Sequence, residues 1–431
     1  MKVAFYTLGC KVNQYETEAM QKLFEAAGYE TGEIETADVV VVNTCTVTAL
    51  SSQKSRQIIR RAVRANENAV IAVVGCYAQS APDEISKIEG VDVIIGTAER
   101  TKIVELVAQA LNNRAEKIYS VGDVERISAF EELPHAPHRT RAFLKIEDGC
   151  NNFCSYCIIP FVRGRVRSRS LKSIRAECID LAAAGYKEIV LTGIHIGAYG
   201  KDFRDGTNLV DAIKTVLDAA NPARLRLGSI ESVEMTDALI DLMKNDSRIC
   251  NHVHLPLQSG CDEILKLMRR PYTTKNFATL TEKLISAIPD ISIGTDLIVG
   301  FPNETDENFD ETLAFIKSQP FSKIHVFPFS ARAGTVAAGM DNQISPQIKK
   351  LRAGRAIEVS NIKEKTFAEK LIGKTVEIIG ETETDGLIDG LTKNYVRVYV
   401  PANDHIKLGN IINVSVINSF MNGVMASFKF D

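Results

Sequence analysis

Short apolar runs at residues 3–8, 39–42, 70–74 and 91–95 alternate with segments whose apolar residues recur at helical spacing. One of these, 16–27, has Met20, Leu23, Phe24 and Ala27 on one face. Strands without a polar face are buried on both sides, so residues 1–121 are expected to form a flavodoxin-like, doubly wound parallel sheet. Residues 122–141 lack any period, carry scattered charges, Pro134, Pro137 and two histidines, and read as a linker. A second α/β series spans 142–367, with strand patterns at 142–146, 188–191, 224–230, 252–255, 292–299 and 322–327. Six such units fall short of a closed eight-stranded barrel and predict a partial (β/α)6 barrel, left by a long helix over about 345–371. Over 368–431 the pattern changes again. Five runs, at 375–380, 386–391, 395–400, 411–417 and 424–430, alternate with Gly, Asn and Pro turns and predict a small all-β barrel.

Composition alters this picture little. The chain has 431 residues, a net charge of −3 and ordinary hydrophobic and charged fractions, so any contact with nucleic acid must rest on local basic patches. No apolar stretch approaches the ~18–20 residues of a membrane span, and the chain opens on a strand pattern rather than a signal peptide. A cytoplasmic location without membrane association is expected. Nine cysteines, an odd number in such a chain, point to metal or cluster ligation or plain burial rather than a disulfide framework.

The strongest chemical signal is Cys150-Asn-Asn-Phe-Cys154-Ser-Tyr-Cys157, directly after the first strand of the second series. Three thiolates on one tight loop can hold three corners of a [4Fe–4S] cubane and leave the fourth iron open. An open iron can chelate the amino and carboxylate groups of S-adenosylmethionine, and an electron from the cluster then releases a 5′-deoxyadenosyl radical. A zinc site would usually bring a fourth Cys or His nearby, and none lies close in sequence. Cys10, Cys45 and Cys76 each follow a strand of the first sheet. In a parallel sheet those strand ends share one edge, so the three thiols are expected to converge and hold a second [4Fe–4S] cluster. Cys178 and Cys250 read as core positions, and Cys261 as a residue near a strand end without a catalytic role.

These residues carry a family resemblance over nearly the whole chain. Thr7-Leu-Gly-Cys-Lys-Val-Asn-Gln14, Asn43-Thr-Cys-Thr-Val47, Gly75-Cys-Tyr77, Asp148-Gly-Cys-Asn-Asn-Phe-Cys-Ser-Tyr-Cys-Ile-Ile-Pro160, Pro256-Leu-Gln-Ser-Gly260 and Asp296-Leu-Ile-Val-Gly-Phe-Pro302 resemble the radical S-adenosylmethionine methylthiotransferases. The terminal barrel resembles a TRAM domain, an RNA-binding module. The first motif and Thr192-Gly-Ile-His-Ile-Gly-Ala-Tyr-Gly200 are most similar to the branch acting on N6-threonylcarbamoyladenosine beside the tRNA anticodon. The branch acting on isopentenyladenosine usually has Asn where His195 stands, and another branch modifies a ribosomal-protein aspartate. A redox-sensing iron–sulfur RNA-binding protein is the non-enzymatic alternative; it would have no use for an open iron. The resemblance implies methylthiolation at C2 of adenosine 37, two S-adenosylmethionine molecules as methyl and radical donors, and an electron donor such as flavodoxin or ferredoxin. It leaves the sulfur source open.

The resemblance also places Tyr156 near the adenine of S-adenosylmethionine and Gly193 near its methionine moiety. Glu231, after the third strand of the second series, is a candidate for the ribose hydroxyls, and Gln258 and Ser259 are pocket candidates after the fourth. Arg163, Arg165, Arg167 and Arg169 alternate with other residues, and in an extended segment they would point the same way. Lys54, Arg56, Arg60, Arg61 and Arg64 form a second acid-free run of helical pattern. Each run is either a solvated face or a set of RNA phosphate contacts. The terminal barrel is not basic, with six Lys/Arg against eight Asp/Glu over 368–431, so RNA binding there would rest on one face or on stacking by Tyr395.

Overall fold

The computed structural model describes residues 1–134, 139–403 and 407–428. The first sheet has six parallel strands in the order Glu30–Thr31, Lys2–Thr7, Val39–Thr44, Val70–Gly75, Val93–Ile95 and Ile118–Ser120. Val40, Val42, Ile71 and Val73 face the helix Ala49–Ala65. Val39, Val41, Val70, Ala72 and Val74 face Met20, Phe24, Ile103 and Val107 on the other side. Alternate residues of one strand thus enter opposite apolar layers, which is why the runs show no polar face. The two edge strands, of two and three residues, were too short to leave a pattern in the sequence.

Six further parallel strands follow: Ala142–Lys145, Glu188–Thr192, Arg224–Leu227, His252–His254, Ser292–Val299 and Lys323–Pro328. They form two hydrogen-bonded triplets in chain order, joined by the isolated parallel bridges Leu225–Ile249 and Ser229–His254. This is the expected open (β/α)6 barrel, with its outer apolar layer under the helices. The helix Pro346–Glu369, capped by Ser345, leads to a closed five-stranded barrel of Thr375–Thr384, Leu387–Thr392, Arg397–Pro401, Ile411–Phe420 and Gly423–Phe428. Strands three and five of this barrel pair in parallel. The expected end of its last strand, 429–430, lies outside the described residues.

The segment read as a linker is pinned at several points. Val124 and Leu133 are buried, Glu131 pairs with Arg100, and Glu132 accepts from Arg169 at 3.0 Å. Pro137 and the histidines at 135 and 138 lie outside the described residues.

The small barrel is fastened to the larger one by two arginines that face the larger barrel's interior. Arg224 donates to the carbonyls of Leu391 (2.9 Å) and Glu377 (2.7 Å), and Arg226 to those of Lys393 (2.9 Å) and Thr392 (3.1 Å). Glu188 accepts from Arg226 at 2.7 and 3.2 Å and lies 3.6 Å from Arg224. Glu188→Ala would leave buried guanidiniums without their shared carboxylate. It is expected to cost about 3–5 kcal/mol, seen as a lower urea midpoint. An unchanged midpoint would mean that the carbonyl contacts alone hold this seam.

Candidate cluster sites and active cleft

Cys10 caps the helix Lys11–Ala26, Cys45 follows Val39–Thr44, and Cys76 opens the helix Cys76–Ser80 directly after Val70–Gly75. Their strands are neighbours in the sheet, so the three cysteines follow adjacent strand ends along one edge. A Cβ on Gly9 would stand 3.0 Å from Cys45 Cβ, which shows how closely the first two loops approach. At Gly75, with φ of +93°, a Cβ would fall 2.4 Å from Asn43 Oδ1, so the turn into Cys76 requires glycine. Burial pushes the Cys76 thiol up to about 11 and that of Cys45 upward as well.

The second trio sits on the loop leaving Ala142–Lys145, closed where Glu147–Asp148 pairs antiparallel with Arg167–Ser168. The Asn152 amide donates to Cys150 Sγ at 3.5 Å, and Arg270 Nη1 donates to Cys154 Sγ at 3.2 Å. His195 Nδ1 lies 3.6 Å from Cys150 Sγ, and its Nε2 lies 2.7 Å from Glu234 Oε2. Burial pushes the Cys150 and Cys157 thiols up to about 12. Among the described residues no three His, Cys, Asp or Glu side chains are gathered as a single-ion site. Two all-thiol trios at loop tips, met by N–H donors, are the donor chemistry of iron–sulfur clusters.

One side chain ties the Cys76 thiol to the strand that enters the second cysteine loop. Arg163 donates to Cys76 Sγ at 3.3 Å, to Asn13 Oδ1 at 2.9 Å, to both oxygens of Glu16 at 2.6 and 3.0 Å, and to Asp148 at 3.1 Å. Lys145 bridges Glu16 and Asp148 at 2.8 and 2.7 Å, and Arg100 lies 3.2 Å from Glu16. Burial alone would raise the Glu16 carboxyl, but Arg100, Arg163 and Lys145 draw it down to about 2.

This geometry corrects the reading of the arginine run as a set of RNA phosphate contacts. The run is not one extended segment: Arg163 ends the helix Ile159–Arg163, Gly164 turns the chain, and only Arg167–Ser168 is strand. Arg163 is 0% exposed, Arg167 donates to the carbonyls of Arg163 and Arg165, and Arg169 is buried against Glu177. Buried carboxylates and carbonyls have drawn three of the four guanidiniums inward. Arg165 alone is exposed, over the Phe153 ring. Arg60, Arg61 and Arg64 are exposed on their helix, while Arg56 donates to the Tyr77 hydroxyl at 2.9 Å.

Of the cofactor candidates, Tyr156 is half-buried in an apolar cluster with Ile298 and Met340. Gly193 packs on Glu147, where a Cβ would come within 2.8 Å of Oε2. Glu231 is no loose carboxylate; it pairs with Arg270, the residue that also donates to Cys154. Gln258 holds a left-handed backbone at φ +67° and donates its amide to the Asp296 carbonyl at 2.8 Å. Ser259 is a correction: it is 0% exposed, with its hydroxyl 3.4 Å from Thr312 in the outer helical layer, turned away from the cleft. Tyr395 is 38% exposed, with its ring stacked on His252 at 4.5 Å and lying under Arg226. It walls a cavity of about 530 Å³ inside the larger barrel, which runs from Lys11 past His252 and His254 to the small barrel. Cys178, Cys250 and Cys261 are buried.

Sequence reasoning passed over Asn13, Glu16, Arg270 and Lys11. Asn13 and Lys11 lie within the quoted motif around Cys10, which was the available signal; Arg270 stands in no pattern.

The fold and thiol loops define a radical S-adenosylmethionine protein. The profile described as Radical SAM superfamily matches residues 144–316, and that described as Uncharacterized protein family UPF0004 matches 2–96. Among solved structures, the radical S-adenosylmethionine methyltransferase TsrM from Kitasatospora setae, with cobalamin and a [4Fe-4S] cluster bound, shares the fold. Its TM-score is 0.58 at 16% identity, covering 78% of this chain and 77% of that one. The threonylcarbamoyladenosine tRNA methylthiotransferase MtaB of Bacillus subtilis is 45% identical over 97% of this chain and 94% of its own length. A tRNA-2-methylthio-N(6)-dimethylallyladenosine synthase of Acetivibrio thermocellus is 35% identical over 95% and 87%. The chain belongs to the radical S-adenosylmethionine methylthiotransferase family. The cofactors of that family are [4Fe–4S] clusters and S-adenosylmethionine.

Reconstituted protein is expected to bind about eight irons per chain, as two cubanes, and Cys76→Ala about four. Elemental analysis giving about four for the unaltered chain would remove the second cluster.

Proposed function

We propose that this protein converts N6-threonylcarbamoyladenosine at position 37 of tRNA, 3′ of the anticodon, to its 2-methylthio derivative. The observation that carries this reading is two trios of cysteines, in a chain 45% identical over 97% of its own length to a threonylcarbamoyladenosine tRNA methylthiotransferase. In this reading residues 1–121 carry the auxiliary site, 142–367 the radical site, and 368–431 a TRAM domain for the tRNA. The protein works in the cytoplasm with a reductant such as flavodoxin or ferredoxin; among the described residues no helix is long and apolar enough to cross a membrane.

When bound, the clusters and S-adenosylmethionine supply a radical that opens the C2–H bond and the sulfur and methyl that replace the hydrogen. That bond is neither acidic nor attached to a leaving group, so acid–base chemistry has little hold on it. Cys150, Cys154 and Cys157 are the ligands of the radical site, and Cys10, Cys45 and Cys76 those of the auxiliary site. Arg270 and the Asn152 amide stabilise thiolate charge at the first, and Arg163 does so at the second. His195, oriented by Glu234, stands beside the Cys150 sulfur. Gly193, packed closely on Glu147, is read as lying near the methionine end of S-adenosylmethionine, and Tyr156 near its adenine.

Nucleosides from a strain lacking the gene are expected to show no methylthio-threonylcarbamoyladenosine by mass spectrometry. The wild-type gene should restore it, and a Cys157→Ala version should not. Persistence of that nucleoside at normal levels would reject the substrate, and 5′-deoxyadenosine formation by Cys157→Ala protein would reject the radical site.

A further inference from the structure

The cavity inside the larger barrel holds an unbalanced charge. It is about 530 Å³, within the ~300–1,000 Å³ range of small-molecule sites. Most charged groups in its wall have partners. Arg141 pairs with Glu381 at 2.9 Å, Lys323 with Glu364, Arg397 with Asp389, and Asp296 lies 3.1 Å from His254. Lys11 does not: among the described residues its ammonium makes no ion pair or hydrogen bond, though it lines the cavity. A second group is also unsatisfied. His252 Nδ1 is buried without a hydrogen-bond partner, its ring held by stacking on Tyr395. Lys11 is half-buried with its ammonium open to the cavity, His252 lines the same wall, and a buried polar atom is rarely left unpaired, so together they mark the place of a polar ligand.

We propose that Lys11 receives the carboxylate of the threonylcarbamoyl group, with His252 Nδ1 bonding the polar atoms beside it, and that this pair sets the enzyme's preference for that nucleoside. The assignment rests on the function proposed above and adds the means of recognition. Threonylcarbamoyl ends in a carboxylate and carries a hydroxyl, whereas an isopentenyl group offers neither, so only the former relieves both unpaired groups. The location suits the chemistry as well. Lys11 follows Cys10 directly, so a base whose N6 substituent reaches Lys11 lies beside the auxiliary thiols.

The test uses the wild-type holoenzyme and anticodon stem-loops bearing threonylcarbamoyladenosine, its uncharged carboxamide analogue, isopentenyladenosine or plain adenosine at position 37. The carboxamide loop is expected to bind about 10- to 100-fold more weakly than the carboxylate loop. Lys11→Met should abolish that difference while leaving affinity for the plain loop unchanged, and Lys11→Arg should keep most of it; iron content shows that the variants retain both clusters. Equal binding of carboxylate and carboxamide by the wild type overturns the proposal. So does Lys11→Met weakening every loop alike, which would make Lys11 a phosphate contact. A wild type that prefers the isopentenyl loop to the threonylcarbamoyl loop would instead reject the substrate reading itself.

Discussion

The structure turns on one buried guanidinium. Arg163 is fully enclosed, and each of its three nitrogens is engaged: with a thiol of the first domain, with Asn13 and Glu16 of the helix beside Cys10, and with Asp148 of the cluster loop. Its planar fork fits the Glu16 carboxylate through two parallel bonds, a geometry lysine cannot reproduce. Buried ion pairs add little net stability, because desolvation offsets their attraction, but breaking one is costly. The value of this network is therefore positional. It fixes the register between the elements that carry the two cysteine trios.

The surplus of cations makes sense in the same frame. Arg100, Arg163, Lys145 and Arg167 are buried around Glu16 and Asp148, with Glu131 at the margin. Arg163 brings part of this positive charge to the Cys76 sulfur, and a thiolate there would be stabilised by it. At the other trio Arg270 is already balanced by Glu231, and the Asn152 amide provides a weaker donor.

The architecture was legible because it depends on period. Runs such as Val39–Thr44, buried at every position, can only be central parallel strands, and the placement of Cys10, Cys45 and Cys76 along one sheet edge follows from topology. The side-chain environment was not legible. The alternation of Arg163 to Arg169 suggests one exposed face, yet a helical turn ending at Gly164, Glu16 from 147 residues upstream, local carbonyls and Glu177 turn three of the four inward. Ser259 was assigned by its place after a strand, but a strand end does not say which layer a side chain enters. Tyr395 was read within its own barrel, and the His252 and Arg226 that hold it belong to another domain.

Arg163 also bears on how the protein is made. The first domain leaves the ribosome with its three cysteines, its sheet and Glu16 complete, and domains generally fold as units in that order. The guanidinium that faces Cys76 and offsets Glu16 is encoded just beyond the radical loop. Until that later segment has folded and docked, the upstream thiol pocket lacks a wall and Glu16 lacks its forked partner. The surroundings of Cys76 are thus completed only by the second domain, and a chain truncated after the first would keep Cys10, Cys45 and Cys76 without that wall.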